Sequence, residues 1–207
     1  DTYMTVTAYG KGATEAVDQA ADEISRLDQL LSTGNEDSEI YKINQSGDGI
    51  LSEETAYLVE RSLDLYEATD GAFDIAIYPV MKAWGFTDDN FRVPDADELK
   101  DLLTLTDASD ISYDKETSQI AFKKDGMQID FGGIAKGYTS ARIMDIFRAC
   151  GIKSGLVNLG GNVQALGTKK DGSSWRVAVQ DPQDTDQYLG VLSIQDKAVI
   201  TSGGYER

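Results

Sequence analysis

The stretch Asp130-Phe131-Gly132-Gly133-Ile134-Ala135-Lys136-Gly137-Tyr138 restricts the fold more than any other. Before it, Met127-Gln128-Ile129 alternates apolar and polar and reads as a strand. After it, Tyr138, Arg142, Ile143, Ile146, Phe147 and Cys150 fall at helical spacing, and Gly151 is a stop signal. A strand feeding a glycine-rich turn that opens a helix leaves backbone N–H groups without intrahelical partners. Such groups receive an anion, most simply a phosphate. Glycine lets main chain approach a ligand with no Cβ between them. Two readings stand on these residues alone: a ligand-facing corner, or a tight structural turn. The order of residues matches neither G-x-x-x-x-G-K-[ST] nor G-x-G-x-x-G, so the usual P-loop and dinucleotide fingerprints are absent.

Composition narrows the guests. The 207 residues suit one large domain or two small ones closely joined. With 36 acidic against 19 basic residues, the net charge is −17. Such a surface repels nucleic acid and anionic lipid, so no nucleic-acid partner is expected. It also disfavours a bare anionic ligand unless a cation or local donors offset the field. Histidine is absent. That removes the commonest general base and transition-metal ligand, and points any metal toward a hard cation on oxygen. The single cysteine, Cys150, excludes an internal disulfide and reads as a small buried hydrophobe. There is no run of about 18 apolar residues such as a membrane-spanning helix needs.

Local patterns predict the elements. Met4, Val6 and Ala8 alternate with Thr5, Thr7 and Tyr9, as in a half-buried strand over 2–9. Ala16, Ala20, Ile24, Leu27 and Leu31 mark a helix that stops near Gly34. Ser38 caps a short helix through Ile40 and Ile43. Ser52 caps another, with Glu53 and Glu54 in its first turn and Gly71 closing it. The segment from Gly71 to Phe86 fits neither period. Pro94 and Asp95 start a helix carrying Leu99, Leu102 and Leu103. Strands are expected over 111–113, 119–123 and 127–130, with Lys124-Asp125-Gly126 as a hairpin turn between the last two. Further strands are expected over 155–159, 163–167, 175–180, 188–194 and 198–200, and a solvated acidic loop over 181–187. The pattern is α+β, with helices on mostly antiparallel sheets. The chain opens directly in a strand and stops directly after one, so an incomplete domain is expected.

Three constellations can carry chemistry. In the first, Asp130 either caps its own turn or faces a ligand, and Lys136 either meets solvent or contacts a phosphate. In the second, Leu156-Val157-Asn158-Leu159-Gly160-Gly161-Asn162 is either a hairpin or, with the first glycine pair, one side of a shared cleft. Asn158 needs partners there if buried. The third is Ala72-Phe73-Asp74 with Trp84 and Phe86. Its aromatics can stack on a planar ring and Asp74 can accept from an exocyclic amine, or the group is a core cluster with an Asp cap.

Taken together these segments resemble the ApbE family, flavin transferases that move FMN from FAD onto a protein threonine. The matching residues run in family order: Thr2; Leu30-Leu31-Ser32-Thr33 with Asp37-Ser38-Glu39-Ile40; Gly71 through Asp74; Trp84-Gly85-Phe86; Asp130 through Tyr138; Val157 through Asn162; and Thr201-Ser202-Gly203. Gly34 stands where many members have an aromatic residue. The resemblance implies two related α/β repeats on antiparallel sheets, within one ApbE-like domain over 1–207 that is incomplete at its C-terminus. It implies an FAD cleft with magnesium at the pyrophosphate. Ala72, Phe73 and Asp74 would line the adenine end, and Asp130, Gly132, Gly133, Lys136 and Tyr138 would lie along the cofactor. The Ala135 carbonyl would be a metal ligand, with the other ligands beyond Arg207. Family members are commonly lipid-anchored outside the cytoplasmic membrane and modify subunits of membrane redox complexes. Hydrolysis of FAD to FMN and AMP, and flavin binding without catalysis, are the alternative functions.

Overall fold

Side-chain caps mark several of the helix starts. The computed structural model describes residues 3–88, 90–184 and 186–202. The expected contributions of Thr2 and Gly203 therefore lie outside the described residues. The chain begins with β1 (Met4–Tyr9), α1 (Ala13–Leu31), α2 (Glu39–Ser46), β2 (Asp48–Ile50) and α3 (Glu53–Ala68). A 3-10 turn (Ile75–Ile77), α4 (Tyr78–Ala83), α5 (Ala96–Leu103) and a second 3-10 turn (Ala108–Asp110) follow. Then come β3 (Ile111–Asp114), β4 (Gln119–Phe122), α6 (Ala135–Ala149), β5 (Ser154–Leu159) and β6 (Asn162–Gly167). β7 (Trp175–Gln180), β8 (Tyr188–Ile194) and β9 (Ala198–Ile200) complete the order. Ser38 Oγ accepts from the Tyr41 N–H at 2.9 Å, as its position predicts. Asp95 Oδ1 accepts from the N–H groups of Asp97 and Glu98 at 3.1 and 2.8 Å. Ser52 sits at the cap of α3 but its hydroxyl meets Thr55 Oγ1 instead of a backbone N–H.

The chain divides into two compact units, residues 1–26 with 136–207, and residues 27–135. In the first unit, β1, β5, β6 and β9 form an antiparallel sheet in that order, and β7 pairs with β8. One sheet face carries Val157 and Leu159 against Ala16 and Ala20 of α1 and Ile143, Met144 and Phe147 of α6. The other packs Tyr9, Leu156 and Val163 against Trp175 and Val177 of β7 and Ile194 of β8. Both faces of the sheet are therefore covered, which is why β5 reads as a nearly continuous apolar run. The half-buried strand expected near the start has the same cause: Val6 and Ala8 belong to one cluster and Tyr9 to the other.

The second unit holds a three-stranded antiparallel sheet, β2-β4-β3, with Ile120 of β4 fully buried. β2 is too short to carry a period and was not expected. The expectation for 127–130 needs correcting. These residues alternate buried Met127 and Ile129 with half-buried Gln128 and Asp130, yet they pair with no strand. The 124–126 turn accordingly joins no hairpin, because both edges of β4 are already taken by β2 and β3. Side chains take the place of a strand, as described next.

Candidate functional site

The corner that follows Ile129 is held by a buried frame within the second unit. Asn44 of α2 points its amide at Ile129. Its Oδ1 accepts from the Ile129 N–H at 2.7 Å, and its Nδ2 donates to the Ile129 carbonyl at 2.8 Å. Gln128 Nε2 donates to the Asn44 carbonyl at 3.2 Å. One residue further, the Asp130 N–H donates to the carbonyl of Ile75 at 2.8 Å. Ile129 and Phe131 are 0% and 1% exposed, so two side chains anchor the segment on either side of Asp130.

The turn itself is largely self-satisfied. Asp130 Oδ1 accepts from the Gly132 N–H at 2.7 Å, the capping role open to an Asp before a glycine turn. The Phe131 carbonyl accepts from the N–H groups of Ile134 and Ala135 at 2.9 and 2.7 Å. The expectation of several free N–H donors ahead of α6 is thereby corrected. Between Gly132 and Ala135, the Gly133 N–H is the one without a hydrogen-bond partner among the described residues. Gly132 and Gly133 are both exposed, so the corner is open to solvent. A Cβ on Gly132 would stand 2.7 Å from Asp130 Oδ1, and one on Gly133 would stand 2.9 Å from Phe73 Cε2. The chain's own side chains thus explain both glycines, whatever else approaches them.

Phe73 and Asp74 belong to the same frame. Asp74 caps the first 3-10 turn, its Oδ1 accepting from the Ala76 N–H at 2.7 Å. Its Oδ2 accepts from the Ala108 N–H at 3.1 Å and ties the second 3-10 turn to the first. Burial pushes the Asp74 carboxyl above its ordinary value, against the two N–H donors, with nearby Asp107 adding to the rise. Burial likewise raises Asp130, opposed by the Gly132 N–H. Ala72 is exposed and Phe73 half-buried. Trp84 and Phe86 stack on each other at 6.2 Å between ring centroids, and Phe86 meets Phe91 edge-on at 5.9 Å. These rings are partners of one another, but Phe86 and Phe91 are 50% and 60% exposed, so they form a surface cluster and the core reading is corrected.

Lys136 and Tyr138 lie in the first turn of α6, half-buried, in the other unit. The second glycine corner also belongs to that unit. Asn158 Oδ1 accepts from the Gly161 N–H at 3.0 Å, which supplies the partner expected for it. Asn162 is buried and its Oδ1 accepts from Ser140 Oγ at 3.3 Å. Sequence reasoning missed Ser140 and Asn44. For Asn44 a signal existed: it sits with Ile40 and Ile43 on the buried stripe of α2, where a polar residue requires partners.

Oxygen donors near the corner suit a hard cation in kind but not in number. No group of three or more acidic or cysteine side chains able to hold a metal occurs among the described residues. Nor does any described helix have the length and apolarity to cross a membrane.

Comparison with known proteins gives a consistent outcome. The model of the ApbE family matches residues 1–207. The chain is 34% identical to the FAD:protein FMN transferase of Treponema pallidum (strain Nichols), over 100% of this chain and 63% of that one. It is 32% identical to the FAD:protein FMN transferase of Klebsiella pneumoniae (strain 342), over 89% and 58%. The crystal structure of the ApbE protein of Thermotoga maritima MSB8 superposes with a TM-score of 0.92 at 30% identity, covering 100% of this chain and 68% of that one. The flavin transferase ApbE of Vibrio cholerae, at 24% identity and a TM-score of 0.87, shares the fold. The chain spans about three fifths of the length of the curated relatives it matches.

Proposed function

Since the chain belongs to the ApbE family, we propose that the protein it comes from is an FAD:protein FMN transferase. A threonine hydroxyl of a target protein attacks the FMN phosphorus of FAD. The new O–P bond forms as the bond from that phosphorus to the bridging oxygen breaks, AMP leaves carrying the bridging oxygen, and the hydroxyl proton is released. Phosphoryl chemistry of this kind depends on positioning and on neutralising charge. The observation that carries the reading is the exposed Gly132–Gly133 corner on its buried frame, in a chain matched end to end by the family.

The Gly133 N–H is an available donor for a diphosphate oxygen. Ala72, Phe73 and Asp74 are proposed for the adenine end. Asp74 retains acceptor capacity beyond its two backbone donors, since a carboxylate has about four lone-pair sites. Asp130 and Gly132 shape the corner, and Lys136 and Tyr138 are proposed as further cofactor residues by family resemblance. Magnesium is part of the proposal, with the Ala135 carbonyl as one ligand; when bound it neutralises diphosphate charge. Acceptor subunits in membrane redox complexes and a lipid-anchored, extracytoplasmic setting belong to the proposal through the resemblance alone.

The test uses the full-length protein with FAD, magnesium and an acceptor domain. Transfer gives a fluorescent, flavinylated acceptor band and an equivalent of AMP. Failure with several acceptors argues against transfer, and AMP release without any acceptor identifies a hydrolase instead.

A further inference from the structure

We propose that Asn44 is a positioning residue, whose amide clamps Ile129 and so sets the Gly132–Gly133 corner for the diphosphate of the cofactor. This rests on the flavin-transfer reading above and adds a residue to it. Both main-chain groups of Ile129 end on this one side chain, 85 residues away in sequence. The pair of bonds imitates the two-way exchange between opposed residues of an antiparallel sheet. Asn44 is 7% exposed, so its amide would be costly there without those partners. Its helix is fixed at both ends. Ser38 caps the start, and Gly47, left-handed at φ 80°, returns its N–H to the Ile43 carbonyl at the finish.

From Ile129 the constraint reaches the corner through short links. The Asp130 N–H is held by Ile75, the Asp130 carboxylate holds the Gly132 N–H, and the Phe73 ring stands against Gly133. A shift of α2 therefore moves residue 129 and, with it, the direction of the Gly133 N–H. A small apolar residue at position 44 would leave the Ile129 N–H and carbonyl unpaired in a dry place. A purely structural role would require only that they be paired; the positioning role predicts that ligand affinity follows the clamp.

The discriminating variant is Asn44→Asp. The native amide offers one acceptor and one donor. An ionised carboxylate offers acceptors only, so the Ile129 carbonyl faces a repelling oxygen. A protonated carboxyl again offers one of each. Titration calorimetry with FAD is run on the full-length protein at pH 5 to 8, as the ratio of variant to wild-type dissociation constants. Tyr41 and Lys42 on α2, and Asp130 and Asp74 on either side of Ile75, are the same in both proteins, so their contributions divide out of the ratio. Burial and the facing Ile129 carbonyl both disfavour the ionised form, so the expected ratio is about tenfold or more at pH 8 and falls as the pH is lowered to 5. Val59→Ala, in the buried face of α3, is the stability control and should stay within twofold of wild type. Should Asn44→Asp unfold at pH 8, the slope from pH 5 to 6.5 carries the same information.

Amide hydrogen exchange without FAD gives an independent arm. At pH 8, the amides of Ile129, Asp130 and Gly132, each hydrogen-bonded in the wild type, should exchange faster in Asn44→Asp than in Val59→Ala, relative to wild type. A pH-independent ratio, or an equal loss of affinity in Val59→Ala, overturns the proposal. Wild type that binds no FAD removes the flavin reading, and the exchange arm then decides alone: unchanged protection at Ile129, Asp130 and Gly132 overturns the clamp.

Discussion

Asp74 and Asp130 look alike in the sequence, and burial raises both, yet they respond differently to the same change. Asp130 accepts one N–H, which an asparagine carbonyl can keep. Its folded pKa lies above the unfolded value of about 3.9, so ionisation disfavours the folded state. The folded state has no such penalty below about pH 3.9 and acquires it as pH rises through the raised value. Asp130→Asn should therefore melt near wild type at pH 3.5 and above it at pH 7, by differential scanning calorimetry at the two pH values. Asp74 spends both oxygens, on Ala76 and Ala108. An amide has one oxygen, so Asp74→Asn sets its NH2 against a backbone N–H. A loss of about 1–2 kcal/mol is expected in urea unfolding, the cost of one spoiled, partly buried hydrogen bond. At Gly133 the neighbour is a ring: a Cβ would lie 2.9 Å from Phe73 Cε2. Gly133→Val should abolish FAD binding by calorimetry while far-UV circular dichroism stays unchanged, because the exposed position lets Phe73 swing away without disturbing the core.

Elements with a long period were legible in the residues, and those made by distant partners were not. The helices after Ser38, Ser52 and Asp95 follow from their start signals and apolar spacing, and the strands β5 to β9 from short apolar runs between turns. The segment 127–130 has the right alternation and the wrong partners. Alternation reports which side chains are buried, and the backbone there is completed by Asn44 and Ile75. Nothing local distinguishes that from a strand. β2 was hidden for the opposite reason, being three residues whose pairing alone defines them. The contact of α6 with its sheet makes a prediction at this scale. A Cβ on Gly155 of β5 would meet the Phe147 ring carbons at 2.5 and 2.7 Å. Gly155→Ala should lower the urea midpoint by the equivalent of about 1–3 kcal/mol with an unchanged slope, as overpacking does.

Across the whole molecule, the charge surplus of −17 is concentrated in residues 27–135, the unit that holds the open corner. An anionic dinucleotide approaching such a surface is repelled at long range, and salt shortens that repulsion to about 8 Å at physiological ionic strength. FAD affinity should therefore improve between 10 and 150 mM potassium chloride without magnesium, a trend opposite to that of a basic phosphate site. Weakening with salt would place the binding on local cations instead. The family, the corner and the Phe73–Asp74 segment were all visible in the sequence, whereas Asn44 required knowing what it faces. A main-chain rung cannot be deleted by mutation, because every residue but proline carries the same N–H and carbonyl. The rung at Ile129 is borrowed from a side chain, and a single base transition in an asparagine codon produces aspartate. The joint that steadies this corner is thus written in one heritable letter, and homologues that drift there would lose it in one step.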